Sequence, residues 1–183
     1  MRLSILFMGV GGQGIVFAAD VLAEALFKCD LNVATIQGYG AEVRGGPVYS
    51  YVIASDSPIE NVFIESFDIA IVLHQSPLKI WRHMVESSRV IIYNSDIAKL
   101  ERGYPLSLTR IAVENKLEGS ENLVAVGIAL ALASIPSETI IETLPEDVKT
   151  EKNIKAIKLG YLLGEDLKRK ATPNSTPLKI HTC

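Results

Sequence analysis

The chain has 183 residues, enough for one domain with a full core and too few to require a second. Hydrophobic residues make up 48% and the net charge is −3, which excludes a disordered chain and offers nothing to a nucleic-acid or membrane-surface partner. Only two cysteines are present, Cys29 and Cys183, whereas an iron–sulfur cluster takes about four thiolates and a structural zinc about four N or S ligands.

In chain order, Leu3 to Met8 is a short apolar run ending at Gly9 and reads as a buried strand. The run lacks a signal-type cleavage site, so the cytoplasm is the expected location. Ile15, Ala19, Leu22 and Leu26 then recur at helical spacing, predicting a helix that ends near Lys28, with Cys29 as a small residue at its close. Leu31 to Ile36 reads as a second strand. Strand, glycine turn, helix and strand make a βαβ unit, which predicts a parallel pair joined by a right-handed crossover. A glycine-rich loop follows over Gln37–Pro47, then a β-rich run over Val48–Ala54 and a turn at Asp56-Ser57-Pro58. Asp68 to Leu73 predicts another buried strand. Ser76-Pro77 predicts a helix start, with Ser as cap and Pro at the first helical position. Arg89 to Tyr93 predicts a strand closing on the polar turn Asn94-Ser95-Asp96.

The second half is more helical. Glu121–Ser134 predicts a buried helix, and its apolar run, Leu123 to Ile135, is shorter than the ~20 residues of a membrane span. Ser137–Leu144 predicts a short helix between Pro136 and Pro145, and Glu151–Lys170 a lysine-rich amphipathic one. Residues 1–170 are read as one α/β domain and 171–183, including Cys183, as a loose tail.

Two segments carry chemistry. Gly9-Val10-Gly11-Gly12-Gln13-Gly14 satisfies G-x-G-x-x-G between a strand and a helix, where small residues allow a tight turn and a helix N-terminus presents N–H groups to a phosphate. A nicotinamide site also wants an acid at the end of the second strand, where this chain has Thr35-Ile36-Gln37. The readings left open are a phosphate-bearing ligand, a partner's cofactor, or glycines that serve only the turn. The second segment runs from Gly38 to Gly46, with Glu42 and Arg44 among Gly38, Gly40, Gly45 and Gly46. Arg44 is suited to clamp a phosphate or carboxylate, and Glu42 to pair with Arg44 or with a partner subunit. Asn94-Ser95-Asp96 and His74 sit at strand ends, where they either line the same crevice or form turns. There is no nucleophile elbow, metal-spaced cluster or Walker lysine, so the sequence has no self-sufficient active site.

Gly9 to Gly14 together with Gly38-Tyr39-Gly40-Ala41-Glu42-Val43-Arg44-Gly45-Gly46 resemble the two signature stretches of the gamma subunits of 2-oxoacid:ferredoxin oxidoreductases. Ser57-Pro58-Ile59, Asn94-Ser95-Asp96, Asn122 to Gly127, and Asn153, Ala156 and Gly160 extend the resemblance over about residues 1–166. Pro47 and Tyr49 depart from it, standing where small or polar residues are commoner. The resemblance implies a three-layer Rossmann-like α/β sandwich on a mostly parallel or mixed sheet, like domain III of pyruvate:ferredoxin oxidoreductase. It implies one chain of a complex that oxidatively decarboxylates a 2-oxoacid with coenzyme A, thiamine diphosphate, magnesium and [4Fe-4S] clusters, and passes electrons to ferredoxin. Thiamine diphosphate, magnesium and the clusters belong to the partner alpha and beta chains, with a delta chain in some members. For this chain it implies no catalytic residue and no metal ligand. Gly9, Gly11, Gly12, Gln13, Gly14, Arg44 and Gly45 are the residues it points to for contact with coenzyme A or with a partner subunit. The competing expectation is a stand-alone NAD- or FAD-binding Rossmann protein.

Overall fold

The computed structural model describes residues 2–42 and 44–171, and the tail expected beyond them, with Cys183, lies outside the described residues. Six strands and six helices follow one another among the described residues. They are β1 (Arg2–Val10), α1 (Ile15–Lys28), β2 (Asn32–Tyr39), β3 (Pro47–Ser55), β4 (Ile69–Val72), α2 (Leu78–Glu86), β5 (Val90–Asn94), β6 (Tyr104–Leu106), α3 (Leu108–Glu114), α4 (Glu121–Ala133), α5 (Ser137–Thr143) and α6 (Glu151–Ala171). The strands form one mixed sheet in the order β2-β3-β1-β4-β5-β6. The α/β sandwich expected from the sequence is therefore the fold observed.

One expectation needs correcting. β1 and β2 are not paired neighbours, because β3 lies between them, antiparallel to both. Pairing of β3 with β1 runs nine residues, from Arg2 with Ser55 to Val10 with Pro47. β2 and β3 make a hairpin whose partners run from Asn32 with Ser55 to Tyr39 with Val48. On the other side of β1, strands β4, β5 and β6 add in parallel. The crossover through α1 thus spans two strand positions.

Strands β1, β4 and β5 are nearly continuous apolar runs because the sheet is covered on both faces. Leu3, Ile5, Phe7, Val52, Ile69, Ile71 and Ile92 point into the larger core, formed with α1, α3, α4, α5 and α6. Leu6, Met8, Tyr51, Ile53, Ala70, Val72 and Ile91 point to the smaller core, closed by Leu78, Met84 and Val85 of α2 and by Phe67 and Ala98.

Helix α4 is buried on every side, from Asn122 to Ala133, so its residues show no amphipathic stripe. It packs against α6 backbone to backbone. A Cβ at Gly127 would collide with the Ile157 carbonyl oxygen, and one at Gly160 with that of Val124. The N-terminus of α2 is less regular than Ser76-Pro77 implies. Pro77 is the cap in helical conformation, the Ser76 side chain makes no cap bond, and Trp81 breaks the helical dihedrals with φ −118° and ψ 29°.

Candidate functional site

The C-terminal end of β1 lies beside the β2–β3 hairpin loop, because β3 starts where β1 ends. The Gly11 N–H donates to the Gly46 carbonyl at 2.9 Å, and the Gly40 N–H to that of Pro47 at 2.7 Å. The second bond closes the hairpin loop, and the first ties the two glycine-rich stretches together. Between them is an open cleft of about 430 Å³ lined by Gly11, Gly12, Tyr39, Gly40, Glu42, Arg44, Gly45, Gly46, Pro47 and Val48. It sits outside the carboxyl ends of β1 and β2, the place where open α/β sheets bind ligands.

The backbone at this cleft needs glycine for two reasons. Gly12 and Gly45 have φ of 94° and 65°, and a Cβ at either would meet nothing within 4 Å. Left-handed backbone, not crowding, therefore sets the residue type, and the open space leaves the main chain approachable by a ligand. At Gly40 and Gly46 the reason is room. A Cβ on Gly40 would come 2.5 Å from Glu42 Oε2, and one on Gly46 would come 2.8 Å from Glu42 Cβ and 2.9 Å from Oε2.

Of the residues the sequence points to, the structure brings Gly11, Gly12, Arg44 and Gly45 to this cleft. Gly9, Gln13 and Gly14 line it with nothing and have packing roles. Gln13 turns back so that its Oε1 accepts the Val10 N–H at 2.9 Å, and a Cβ on Gly9 would strike that oxygen at 2.5 Å. Gly14 caps α1 with φ 66° and ψ 34°. Its carbonyl accepts from Asn122 Nδ2 of α4 at 3.2 Å, so the side chain of Asn122 stands over the start of α1.

The expected pairing of Glu42 with Arg44 is not formed. Both are exposed, and neither has a hydrogen bond or ion pair with the other. The polar turn after β5 is structural. Asn94 is 1% exposed, its Oδ1 accepts the N–H groups of Leu108, Thr109 and Asp96, and its Nδ2 donates to Thr109 Oγ1 at 2.9 Å. Asp96 Oδ2 accepts the Arg110 N–H at 2.9 Å, so this turn caps α3. His74 is likewise committed, its Nδ1 accepting from Ser76 N at 3.1 Å.

Sequence reasoning missed Tyr39 as a cleft residue. It ends β2 with a side chain 60% exposed, and an exposed aromatic before a glycine loop is the signal that marks it. The unusual Pro47 and Tyr49 fit their places. Pro47 needs no N–H where Gly40 supplies the hairpin's donor, and Tyr49 lies over Gly38 and meets Trp81 edge-on at 4.7 Å.

Known proteins share both the sequence and this architecture. Residues 4–163 match the family model described as pyruvate ferredoxin/flavodoxin oxidoreductase. The 2-oxoglutarate synthase subunit KorC of Archaeoglobus fulgidus is 30% identical over 165 residues, which cover 89% of this chain and 88% of the relative. The pyruvate synthase subunit PorC of Methanothermobacter marburgensis is 30% identical over 173 residues, covering 87% of this chain and 96% of the relative. The crystal structure of the keto/oxoacid ferredoxin oxidoreductase gamma subunit from Geobacter sulfurreducens PCA superposes with a TM-score of 0.70 at 26% identity, covering 91% of this chain and 98% of that one. The 2-oxoglutarate:ferredoxin oxidoreductase of Magnetococcus marinus, solved with 2-oxoglutarate, coenzyme A and succinyl-CoA bound, shares the fold with a TM-score of 0.80 at 24% identity. It covers 99% of this chain, which spans 33% of that longer one. A stand-alone NAD or FAD protein finds no support in these relatives or in the strand order. The chain belongs to the pyruvate ferredoxin/flavodoxin oxidoreductase family, as a subunit of the gamma type.

Proposed function

We propose that this chain is the gamma subunit of a 2-oxoacid:ferredoxin oxidoreductase and that its cleft holds the phosphate-bearing part of coenzyme A. Partner alpha and beta chains, with or without a delta chain, carry thiamine diphosphate, magnesium and the [4Fe-4S] clusters and pass electrons to ferredoxin. The assembly works in the cytoplasm. Coenzyme A, when bound, supplies the thiol that accepts the acyl group left after decarboxylation.

The observation that supports this reading most is the convergence of the two glycine stretches on one cleft at the carboxyl ends of the strands. The residues present fit a diphosphate. Gly12 and Gly45 leave main chain approachable, and Arg44 is exposed at the cleft with no hydrogen bond or ion pair to another described residue. The contribution of this chain is binding and orientation: Arg44 neutralises phosphate charge, and Gly11, Gly12 and Gly45 let the ligand lie against the backbone. The relative from Magnetococcus marinus, by its description, was solved with coenzyme A and succinyl-CoA.

The test is Arg44→Ala in the oxidoreductase reconstituted with its partner subunits. An arginine–phosphate contact is worth about 1.5–3 kcal/mol, so the KM for coenzyme A should rise about 10- to 100-fold with kcat little changed. An unchanged KM with impaired co-purification of the partner subunits would assign the cleft to a subunit contact instead.

A further inference from the structure

Glu42 is the feature of the cleft that phosphate binding does not explain. A carboxylate beside an anion is repulsive, yet the loop is shaped around this one. The absent side chains of Gly40 and Gly46 leave the niche in which Glu42 sits, with Oε2 where substituents on both glycines would fall. Replacing either glycine would displace the carboxylate. Among the described residues Glu42 makes no hydrogen bond or ion pair, with Arg44 or with any other, so no contact within the loop accounts for its seat. An exposed carboxylate that lines the cleft and has no donor among the described residues is available to accept a hydrogen bond from a bound ligand.

We infer that Glu42 is a specificity-determining residue, whose carboxylate accepts a hydrogen bond from an uncharged N–H or O–H group of the ligand that Arg44 holds by its phosphate. The inference rests on the proposal that the cleft binds coenzyme A, a molecule that carries amide N–H, hydroxyl and amino donors besides its phosphates. Two groups of opposite sign, both lining a cleft of about 430 Å³ and neither paired with a described residue, then read two chemical features of one molecule. The carboxylate also discriminates. A bare polyphosphate offers no donor and meets only repulsion there, whereas a ligand with donors beside its phosphates turns the same charge to attraction.

The test uses the reconstituted oxidoreductase with Glu42→Gln, which keeps shape and removes charge, and Glu42→Ala, alongside Arg44→Ala. Steady-state kinetics with coenzyme A are combined with inhibition by inorganic pyrophosphate, and the melting temperature of each variant is recorded. Glu42→Gln should raise the KM for coenzyme A about tenfold at nearly unchanged kcat and melting temperature, and Glu42→Ala by more. Both should bind pyrophosphate more tightly than wild type, because the carboxylate repels an anion that gives it no donor, and the opposite movement of the two ligands is what loss of stability alone would not produce. If Arg44→Ala raises the KM and neither Glu42 variant does, the cleft binds coenzyme A and the role of Glu42 is refuted. If none of the three moves the KM, the coenzyme A reading itself falls and this inference with it. If the Glu42 variants lose partner subunits on purification instead, the carboxylate is a subunit contact, which equally overturns the assignment.

Discussion

Gly160→Ala tests the α4–α6 packing, because ordinary helix propensity and this packing predict opposite signs. In an uncrowded helix interior, glycine to alanine stabilises by about 1 kcal/mol. At Gly160 the new Cβ would collide with the Val124 carbonyl oxygen and lie 2.8 Å from its carbonyl carbon and 3.0 Å from its Cα. Ordinary carbon–carbon contact is about 3.5–4.0 Å, so the helices must separate by close to 1 Å. The obstacle is backbone, which has no rotamer to change. Separation also loosens the contacts of Val124, Ile128, Ala156 and Ile157, all buried in the larger core. Overpacking of this kind costs about 1–3 kcal/mol, and a rigid obstacle belongs at the upper end, so a net loss of about 2 kcal/mol is expected after the propensity gain. For a chain of this size that lowers the melting temperature by about 4–8 °C. Gly127→Ala should behave alike, since its Cβ would meet Ile157 and Tyr161 backbone and come 3.0 Å from the Gly160 carbonyl carbon. The double variant should lose less than the sum, because whichever alanine parts the helices first makes room for the second. Urea unfolding of the isolated chain, followed by circular dichroism, measures this. Leu162→Ala is the control, at a side chain 67% exposed on the same helix, with a change within about 0.5 kcal/mol. A Gly160→Ala chain as stable as wild type, or more so, would refute the close backbone approach.

Two further predictions concern the polar turn and the smaller core. Asn94→Ala removes the acceptor of the Leu108, Thr109 and Asp96 N–H groups at a buried site and should cost about 2–3 kcal/mol, seen as a lower urea midpoint with unchanged slope, whereas Asn94→Asp should restore most of it. Tyr51 has its pKa raised above the ordinary 10.0, first by burial and then by the neighbouring Tyr49. The folded chain therefore holds that proton more tightly than the unfolded one. Its contribution is complete below pH 10.0 and is lost as pH rises from there through the folded-state value. Tyr51→Phe should flatten that alkaline decline while lowering the neutral-pH baseline by about 1 kcal/mol through loss of the bond from the hydroxyl to the Val62 carbonyl; an unchanged alkaline slope would assign the decline to other groups.

How much of this was legible in the sequence depends on how local each signal is. Strands β1, β3, β4 and β5 announce themselves as apolar or β-branched runs, and α1 and α6 by helical spacing, each within a residue or two of the observed bounds. The missed elements are β6 and α3. The first is Tyr104-Pro105-Leu106, three residues with a proline, tolerable only because it lies at the edge of the sheet. The second has seven residues, and the side chain that satisfies its first N–H groups is Asn94, fourteen positions earlier. No window centred on α3 contains its cap. The same limit applies at the cleft: glycine spacing showed that the two loops were special, but not that Gly11 bonds Gly46 or that Gly40 and Gly46 make room for Glu42.

The strand order accounts for both what the first glycine motif does and what it lacks. In a nicotinamide-binding fold the second strand lies beside the first, and an acid at its end reaches the ribose of a ligand resting on the turn. Here β3 occupies that neighbouring place. The end of β2 is then displaced by two strand spacings from β1, about 10 Å, and an acid at Gln37 would be too far from the turn to serve. The missing acid and the inserted strand are thus one fact, and the sequence showed only the first half of it. The insertion also sets what stands at that end of the sheet. A strand entering antiparallel between β1 and β2 must be joined to β2 by a hairpin at the carboxyl end of β1, so its loop is forced against the glycine turn. That loop sets Glu42 and Arg44 in the cleft at the carboxyl ends of the strands, the place where a nicotinamide-binding fold holds its dinucleotide.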